Sequence, residues 1–425
     1  MTAPGHTNPP RVADLLGAIG VLTDGPTPRG HERSTAAALA EWARNRWPDL
    51  YFSVDEIGSA GGNLVCSTAA PSPDDLLIYS HLDTSLTGIG VQDHGVTGSW
   101  DDAEAGFRVC DNNVSAFGLG VARGPAAAAL VGFASAAASL PQTTHRSLRL
   151  VLAGGGTHEN SIPDPPGPES LYCGLETHLD QYPLPGAAVV AKAGPRGILW
   201  DEPGAGYLRI RVSGRRGAVL MRDRADPPGG LPTHVGGICA AVETWREQWR
   251  SSALPIGQSG REAGIGAIRT GSTRKPDLLP SYVDLYVYVV MLPGDSIVDI
   301  AEDLRRSLLN AFHDSPLARC DVSVDGSTPQ NAGITAPESE VVQMARAAWS
   351  RRNEEGLPVL SRWTGSTDGA LLRSRGIDTI RTGPTSVTDD RNPEWDVISV
   401  AELLRFTHIY SEIGADWAAG VGRGR

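Results

Sequence analysis

The chain has 425 residues, which is enough for two domains that each have a hydrophobic core. Its net charge of -12 argues against nucleic acid or an anionic membrane surface as a partner. Hydrophobic residues make up 40% and charged residues 20%, as in an ordinary soluble globular protein. Lys192 and Lys275 are the only lysines in the sequence, so covalent lysine chemistry is not expected. Arginine is the expected binder of an anionic substrate.

The cysteines and the amino-terminal segment indicate in which cellular compartment the protein is expected. The five cysteines are scattered, odd in number and without C-x-x-C spacing, which is typical of buried thiols in a reducing environment. Residues 1–10 have neither the basic nor the apolar part of a signal peptide. The most apolar run, 124–140, is shorter than the roughly 20 residues of a membrane span. We therefore expect a cytoplasmic protein without a membrane partner.

The first half of the chain alternates strands with helices. The pattern predicts a helix at 34–47, strands at 64–66, 76–80 and 148–153, and a helix at 125–138 between the last two strands. This alternation indicates a mostly parallel sheet covered by helices, and the fold class is predicted to be α/β.

The order of elements changes in the second half. Strands are predicted at 207–213, 265–270, 282–291 and 320–324, with helices at 235–249 and 297–312. This β-α-β-β-α-β order is that of a ferredoxin-like domain. After it come a helix at 338–351, a strand at 377–381 and a helix at 400–413. We predict a discontinuous catalytic domain, 1–195 and 325–425, interrupted by an inserted lid or dimerisation domain, 196–324.

The strand at 76–80 ends in a motif with metal-binding chemistry. It delivers His81 and, two residues later, Asp83 to its carboxyl end, the edge at which open α/β sheets bind ligands. Alternation places both side chains on one side of the strand, so the carboxylate can orient the imidazole towards a divalent metal. The alternative is a strand-end histidine that is capped by its neighbour.

A second motif follows the strand at 148–153. The glycine-rich turn at 154–156 leads into His158 and Glu159. A glutamate at this edge can accept a proton from a metal-bound water or bind the metal itself. The alternative is a glycine-rich turn with an exposed glutamate.

Further short motifs follow one another along nearly the whole chain. They lie at 30–32, 55–58, 62–64, 80–84, 158–159, 264–268, 291–295, 366–370, 376–377, 383–384 and 400–403. In their order and spacing the chain resembles the metal-dependent exopeptidases and deacylases that include carboxypeptidase G, aminoacylase and succinyl-diaminopimelate desuccinylase. The resemblance implies a phosphorylase/hydrolase-like mixed sheet covered by helices, an inserted ferredoxin-like domain, and a homo-oligomer (a dimer or larger).

The chain departs from this family at several metal-ligand positions. Where the family has an aspartate that bridges two metals, this chain has Ala122 or Arg123, and Asp111 is the nearest substitute. No carboxylate is present at 191–195, where a further acidic ligand is expected. The last histidine ligand is absent too, and residues 389–392 offer Asp389, Asp390 or Asn392 instead.

These losses favour one weakly held divalent ion per subunit (manganese, zinc or cobalt) over two, because too few anionic ligands remain to offset the repulsion between two dications. His81 and Glu159 are the first predicted ligands, and Asp111 or Asp390 is the third. Open coordination positions would remain for water and for a substrate carboxylate. Glu159 or His158 would move protons, and Asp83 would orient His81.

The predicted function is hydrolysis of a C–N bond in a small carboxylate-bearing substrate. The histidine that the family has in its lid is missing after 214–217, which disfavours peptides. The specific prediction is therefore an aryl amine aminohydrolase that converts nitroanthranilate to nitrosalicylate and ammonia, as a divergent branch of the family does. The alternatives are an amidohydrolase or peptidase acting on N-acyl amino acids or dipeptides, and a non-catalytic, metal-free relative. The candidate substrate-binding residues are Arg123, Arg215, His234, Trp363 and Asp368.

Overall fold

The computed structural model describes residues 10–140, 144, 146–162, 173–327 and 329–420. In the first part of the chain the elements are α1 (Val12–Leu22), α2 (Arg33–Arg46), β1 (Phe52–Ile57), β2 (Gly61–Ser67), β3 (Leu76–His81), α3 (Gly90–Thr97), β4 (Arg108–Cys110), β5 (Asn113–Phe117), α4 (Gly124–Ala137), β6 (Leu148–Ala153), α5 (Gly174–Gln181) and β7 (Ala187–Ala191).

The middle of the chain contains β8 (Ile198–Leu199), β9 (Asp201–Glu202), β10 (Gly204–Ser213), β11 (Gly217–Ala218), α6 (Val235–Ser251), β12 (Glu262–Thr270), β13 (Leu278–Leu279), β14 (Tyr282–Met291), α7 (Ile297–Phe312) and β15 (Asp321–Gly326). The last part contains β16 (Gly333–Ile334), α8 (Glu340–Arg352), α9 (Gly369–Ser374), β17 (Asp378–Thr382), β18 (Val387–Thr388), β19 (Trp395–Ser399) and α10 (Val400–Ala418).

The largest sheet has seven strands in the order β1-β2-β6-β3-β7-β17-β8. The central strands β6, β3, β7 and β17 run parallel, whereas β1, β2 and β8 join by antiparallel pairing. The carboxyl ends of β3, β6 and β7 therefore meet at one edge of this sheet. The predicted fold class, a mixed α/β sheet covered by helices, is confirmed.

Alanine-rich α4 is the central helix of the main core. Its residues from Gly124 to Ala136 are all buried. Small side chains let α10 approach closely, and a Cβ at Gly132 would overlap the backbone of Thr407 and the side chain of Tyr410. The segment Leu119–Ala137 is long and apolar enough to cross a membrane, but most of it is buried inside the fold, as in a core helix.

The opposite face of the large sheet carries a smaller core. Tyr79 of β3 and Val190 of β7 pack there against Leu175 of α5 and Leu372 of α9. Helices α5 and α9 therefore cover this face of the sheet.

The segment from β10 to β15 builds a separate four-stranded antiparallel sheet in the order β12-β14-β10-β15. With α6 and α7 its chain order is β-α-β-β-α-β, and it has its own core around Trp245, Leu285 and Leu304. A further four-stranded sheet, β18-β19-β5-β4, lies in the larger part of the molecule. We refer to the segment β10 to β15 as the lid domain.

Candidate active site at the edge of the large sheet

His81 is the last residue of β3 and is buried. Its Nδ1 atom lies 2.9 Å from the carbonyl oxygen of Asp83 and 3.2 Å from the Oδ1 atom of the same residue. Among the described residues, no group forms a hydrogen bond with the Nε2 atom, although this atom is buried. Asp83 therefore fixes the ring, and its free nitrogen is directed into the site.

Asp83 is anchored by the glycine-rich turn after β6. The backbone amides of Gly156 and Thr157 each donate to its carboxylate at 2.8 Å, and the Thr157 hydroxyl donates as well. Burial alone would raise the pKa of Asp83, but the charge of His81 and these donors together hold the pKa below its usual value. Asp83 is therefore an ionised carboxylate that has no contact with solvent.

Gly156 has to be a glycine for steric reasons. A Cβ at this position would overlap the side chain of His81 and approach Asp368. The turn after β6, the end of β3 and the turn before α9 thus converge on one point.

Asp368 precedes α9 and is also buried. It accepts a hydrogen bond from the hydroxyl of Tyr79, and the amide of Gln330 donates to its Oδ1 atom at 3.5 Å. Burial raises the pKa of Asp368, while Tyr79 and the Lys192 ammonium oppose this rise. Asp368 thus shares the site with a nearby cation.

That cation is Lys192, which directly follows β7, the strand beside β3. In the parallel pairing of β3 and β7, Tyr79 is opposite Val190, so the same register two residues further on places Lys192 beside His81. The Ser80 hydroxyl donates to the carbonyl of Ala191 at 2.8 Å, which holds the two strand ends together. Burial lowers the pKa of Lys192, and the carboxylates of Asp368, Asp83 and Glu202 oppose this effect. Lys192 is thus surrounded by acidic groups.

Behind Lys192 lies a layer of buried ion pairs. Glu202 lies 3.1 Å from Arg373 and 3.9 Å from Arg381, and the Thr367 hydroxyl donates to it at 2.6 Å. Arg381 stacks over Trp363 with its guanidinium carbon 4.7 Å from the ring centre. This layer joins β9 to the two ends of α9 and to β17.

His158 and Glu159 lie on the outer side of the site. The Nε2 atom of His158 is buried, and burial together with Lys192 lowers the pKa of this histidine to about 3. His158 is therefore neutral near pH 7. The Glu159 side chain is 47% exposed and lies 3.9 Å from Arg29. It borders a cavity of ≈ 1000 Å³ that Arg29 and His31 also line.

Comparison with solved structures identifies the fold, whereas no family model and no curated protein sequence matches the chain. Aminopeptidase PepT from Bacillus cereus ATCC 10987 superposes with a TM-score of 0.63 at 13% identity, covering 96% of this chain and 99% of that one. YXEP from Bacillus subtilis, described as a dinuclear metal-binding peptidase of the M20 family, gives 0.58 at 10% identity, covering 95% and 97%. This chain has the M20 peptidase fold. An amidase of the hydantoinase/carbamoylase family from Burkholderia phymatum shares it, with a TM-score of 0.57 at 12% identity and coverage of 97% and 100%.

The resemblance predicted from the sequence is thus confirmed at the level of the M20 fold. Of the residues predicted from sequence, the structure brings His81, Asp83 and Asp368 together at the sheet edge, with His158 beside them. Lys192, Tyr79 and Gln330 were missed. One signal was available for Lys192: it is one of two lysines, and it stands where the resemblance leads us to expect an acidic ligand.

Two of the four predicted metal ligands lie on exposed turns. Asp111 is in the turn between β4 and β5, at the far end of β5 from Gly118, whose Cβ position adjoins Thr84. Five strand residues separate these ends by about 16 Å. Asp390 is exposed in the turn after β18. The structure therefore does not assemble the set His81, Asp111, Glu159 and Asp390.

The candidate substrate residues are also dispersed. Arg123 is buried and donates to the carbonyls of Phe117 and Gly25 at 3.1 and 2.6 Å, which corrects its assignment as a substrate-binding residue. Arg215 is exposed in the lid domain. His234 is half-buried in the same domain, with its ring 2.8 Å from the carbonyl of Pro228. Trp363 lies below the site, against Arg381.

The described residues do not fit the metal centre that the fold family implies. His81 presents a free ring nitrogen, but within the described part of the chain no group of three or more His, Cys, Asp or Glu side chains is placed to hold a metal ion. The neighbouring strand carries the Lys192 ammonium instead. A dication held by His81 would lie on the same face of the sheet as this ammonium and would be repelled by it. No chemical step is therefore assigned to a metal.

Proposed function

We propose that this chain hydrolyses a C–N bond in a small carboxylate-bearing substrate at the edge where His81, Asp83, Asp368 and Lys192 meet. The observation that carries the proposal is the buried pair His81–Asp83, because it leaves the Nε2 atom of His81 without a partner among the described residues. Solved structures with the same fold, an aminopeptidase and an amidase, support this reaction class.

The chemistry follows from the orientation of the imidazole. Asp83 holds Nδ1 as the protonated nitrogen, so Nε2 can accept a proton from a water molecule. The water oxygen bonds to the carbonyl carbon and the C–N bond breaks. The leaving nitrogen then takes the proton back from Nε2, and an acid and an amine are released. Asp83 stabilises the imidazolium that forms between these steps, so we describe it as a positioning residue.

Glu159 and His158, the proton carriers predicted from sequence, are less suited to this role. Glu159 is half exposed and faces Arg29. Burial lowers the pKa of His158 to about 3, which makes it a weak base. Glu159 instead lines a cavity together with Arg29 and His31.

Within this reaction class, an N-acyl amino acid or dipeptide is our first candidate substrate, because the solved structures of this fold include peptidases and an amidase. The finer prediction, an aryl amine such as nitroanthranilate, is the second candidate. A non-catalytic, metal-free relative is the alternative function, and it is favoured by the pairing of the buried carboxylates with fixed cations.

The test is release of ammonia or of a primary amine, screened over N-acyl amino acids, dipeptides and aryl amines. We expect His81→Ala to abolish any activity that is found. His313→Ala, in which the replaced side chain is 82% exposed, should leave it unchanged. Binding without turnover across the whole screen would favour the non-catalytic alternative.

A homo-oligomer remains our prediction for the assembly. Strand β12 forms one edge of the lid sheet, and an edge strand offers unpaired backbone groups to a second chain. Light scattering coupled to size exclusion would measure the mass of the particle in solution.

A further inference from the structure

We propose that Lys192 supplies the positive charge of this site, so that the site binds the carboxylate of a small organic acid without a metal ion. The inference deepens the proposed function and rests on it for the identity of the site as the substrate site. No role in the site was predicted for Lys192 from the sequence.

The position of Lys192 is the first argument. The register of β3 and β7 places it beside His81, on the face of the sheet that also carries Tyr79. β17 flanks β7 on its other side, and Gly383 packs so closely against the backbone of Lys192 that a Cβ there would overlap it. Neighbouring strands on both sides therefore fix the backbone from which the ammonium projects.

The balance of charge is the second argument. The backbone amides of Gly156 and Thr157 donate to Asp83, and the Nδ1 atom of His81 lies 3.2 Å from its carboxylate. Glu202 is paired with Arg373, and Glu159 lies next to Arg29. Asp368, which is also buried, interacts with Lys192 and Tyr79. Each of these carboxylates thus already has a hydrogen-bond donor or a cation of the protein beside it.

Two buried ring nitrogen atoms provide the third argument. The Nε2 atoms of His81 and His158 are buried, and neither has a hydrogen-bond partner among the described residues. Burying such atoms without partners is costly, so they indicate that a polar ligand completes the site. An ammonium has three donors, so it can bind one carboxylate oxygen, while the second oxygen accepts from the Nε2–H group of a neutral His158 ring.

The test uses the full chain and two probes, N-acetylglycine and benzoate, titrated by calorimetry in the presence of EDTA. We expect the unaltered protein to bind at least one probe. Lys192→Met should weaken this binding about tenfold or more, because a charged hydrogen bond is lost. Lys192→Arg should retain most of it, and this variant also checks that the fold tolerates substitution at 192. The matched control is Lys275→Met, which replaces the only other lysine, an exposed side chain of the lid domain.

A second measurement does not depend on binding of an acid. After dialysis against zinc and then against buffer, we expect the unaltered protein to hold no stoichiometric zinc. Lys192→Glu exchanges the ammonium for a carboxylate beside His81 and Asp368, and it should gain about one zinc ion per chain. Adding His81→Ala to this variant should remove the gain.

The inference is overturned if EDTA abolishes binding of the probes to the unaltered protein, if neither probe binds, or if the unaltered protein holds stoichiometric zinc that His81→Ala removes. These outcomes differ from failure of the proposed function. Binding that depends on Lys192, without hydrolysis of any substrate, would refute the hydrolase and leave the role of Lys192 intact. Hydrolysis that requires added metal would refute the proposed role of Lys192 and leave the hydrolase function intact.

Discussion

The Nδ1 atom of His81 lies 3.2 Å from the Oδ1 atom of Asp83, and both side chains are removed from solvent. The two residues are separated by Leu82, and the turn after β6 fixes the carboxylate through the amides of Gly156 and Thr157. The orientation of the imidazole therefore depends on a segment more than seventy residues away in the sequence.

Replacing Asp83 with asparagine should leave a folded protein with an impaired site. We expect activity to fall about 10- to 100-fold, because the ring of His81 loses the carboxylate that orients it. The ratio kcat/KM, measured on any substrate found in the screen, tests this expectation. Asp314→Asn is the control, since that side chain is 98% exposed. An unchanged kcat/KM in Asp83→Asn would show that the pair has no role in the reaction.

The unfolding free energy should fall on acidification because of His158. Burial and Lys192 lower its pKa to about 3 in the folded state, against about 6.5 in an unfolded chain. Between these values the unfolded state binds more protons, so this contribution to stability is complete above about pH 6.5 and is lost as the pH falls towards 3. His158→Gln should reduce the change in the urea unfolding midpoint between pH 7 and pH 4. His313→Gln should follow the unaltered protein, and identical pH profiles for both variants would contradict the explanation.

Glu202→Gln should be strongly destabilising. It leaves the buried guanidinium of Arg373 without its counter-ion, and removal of one partner of a buried pair costs about 3 to 5 kcal/mol. Glu355→Gln is the matched control, because it breaks the surface ion pair with Arg196 and should cost less than about 1 kcal/mol. Chemical denaturation of the two variants gives the comparison. Equal losses of unfolding free energy would mean that the buried layer does not act as an ion-pair network.

Gly156→Ala should damage both stability and the site. The added methyl group overlaps His81 and approaches Asp368, and overpacking of this kind costs about 1 to 3 kcal/mol. Probe binding and activity should fall with it, since the imidazole has to move. Gly236→Ala, in helix α6 with open space at the Cβ position, should be neutral or slightly stabilising. A fully active Gly156→Ala variant would show that the backbone of the turn can move to accommodate the methyl group without displacing His81.

Much of the architecture could be predicted from sequence because periodicity and local motifs carry it. The strand predicted at 76–80 is observed as β3, Leu76–His81, and the lid domain has the predicted order of elements. The sheet β18-β19-β5-β4 was not predicted, because β4 and β18 are two or three exposed residues long and show no alternation. Short strands of this kind are defined by their partners and not by their own pattern.

The site was predictable only where its residues lie on one motif. His81 and Asp83 are two positions apart, so alternation alone brings them together. The contribution of Lys192 depends on the register of β3 and β7, which no local pattern reveals. Asp111 and Asp390 were chosen for their spacing relative to a family pattern, and the turns that carry them point to solvent.

Tyr207, on β10 of the lid domain, and Gln330, in the segment after β15, each make a polar contact with a residue of the site. The hydroxyl of Tyr207 donates to the carbonyl of His158 at 3.1 Å, and Gln330 reaches Asp368. Reorientation of the lid domain relative to the large sheet would have to break these hydrogen bonds or move His158 and Asp368 with it. A change in the orientation of the lid domain would therefore alter the positions of His158 and Asp368.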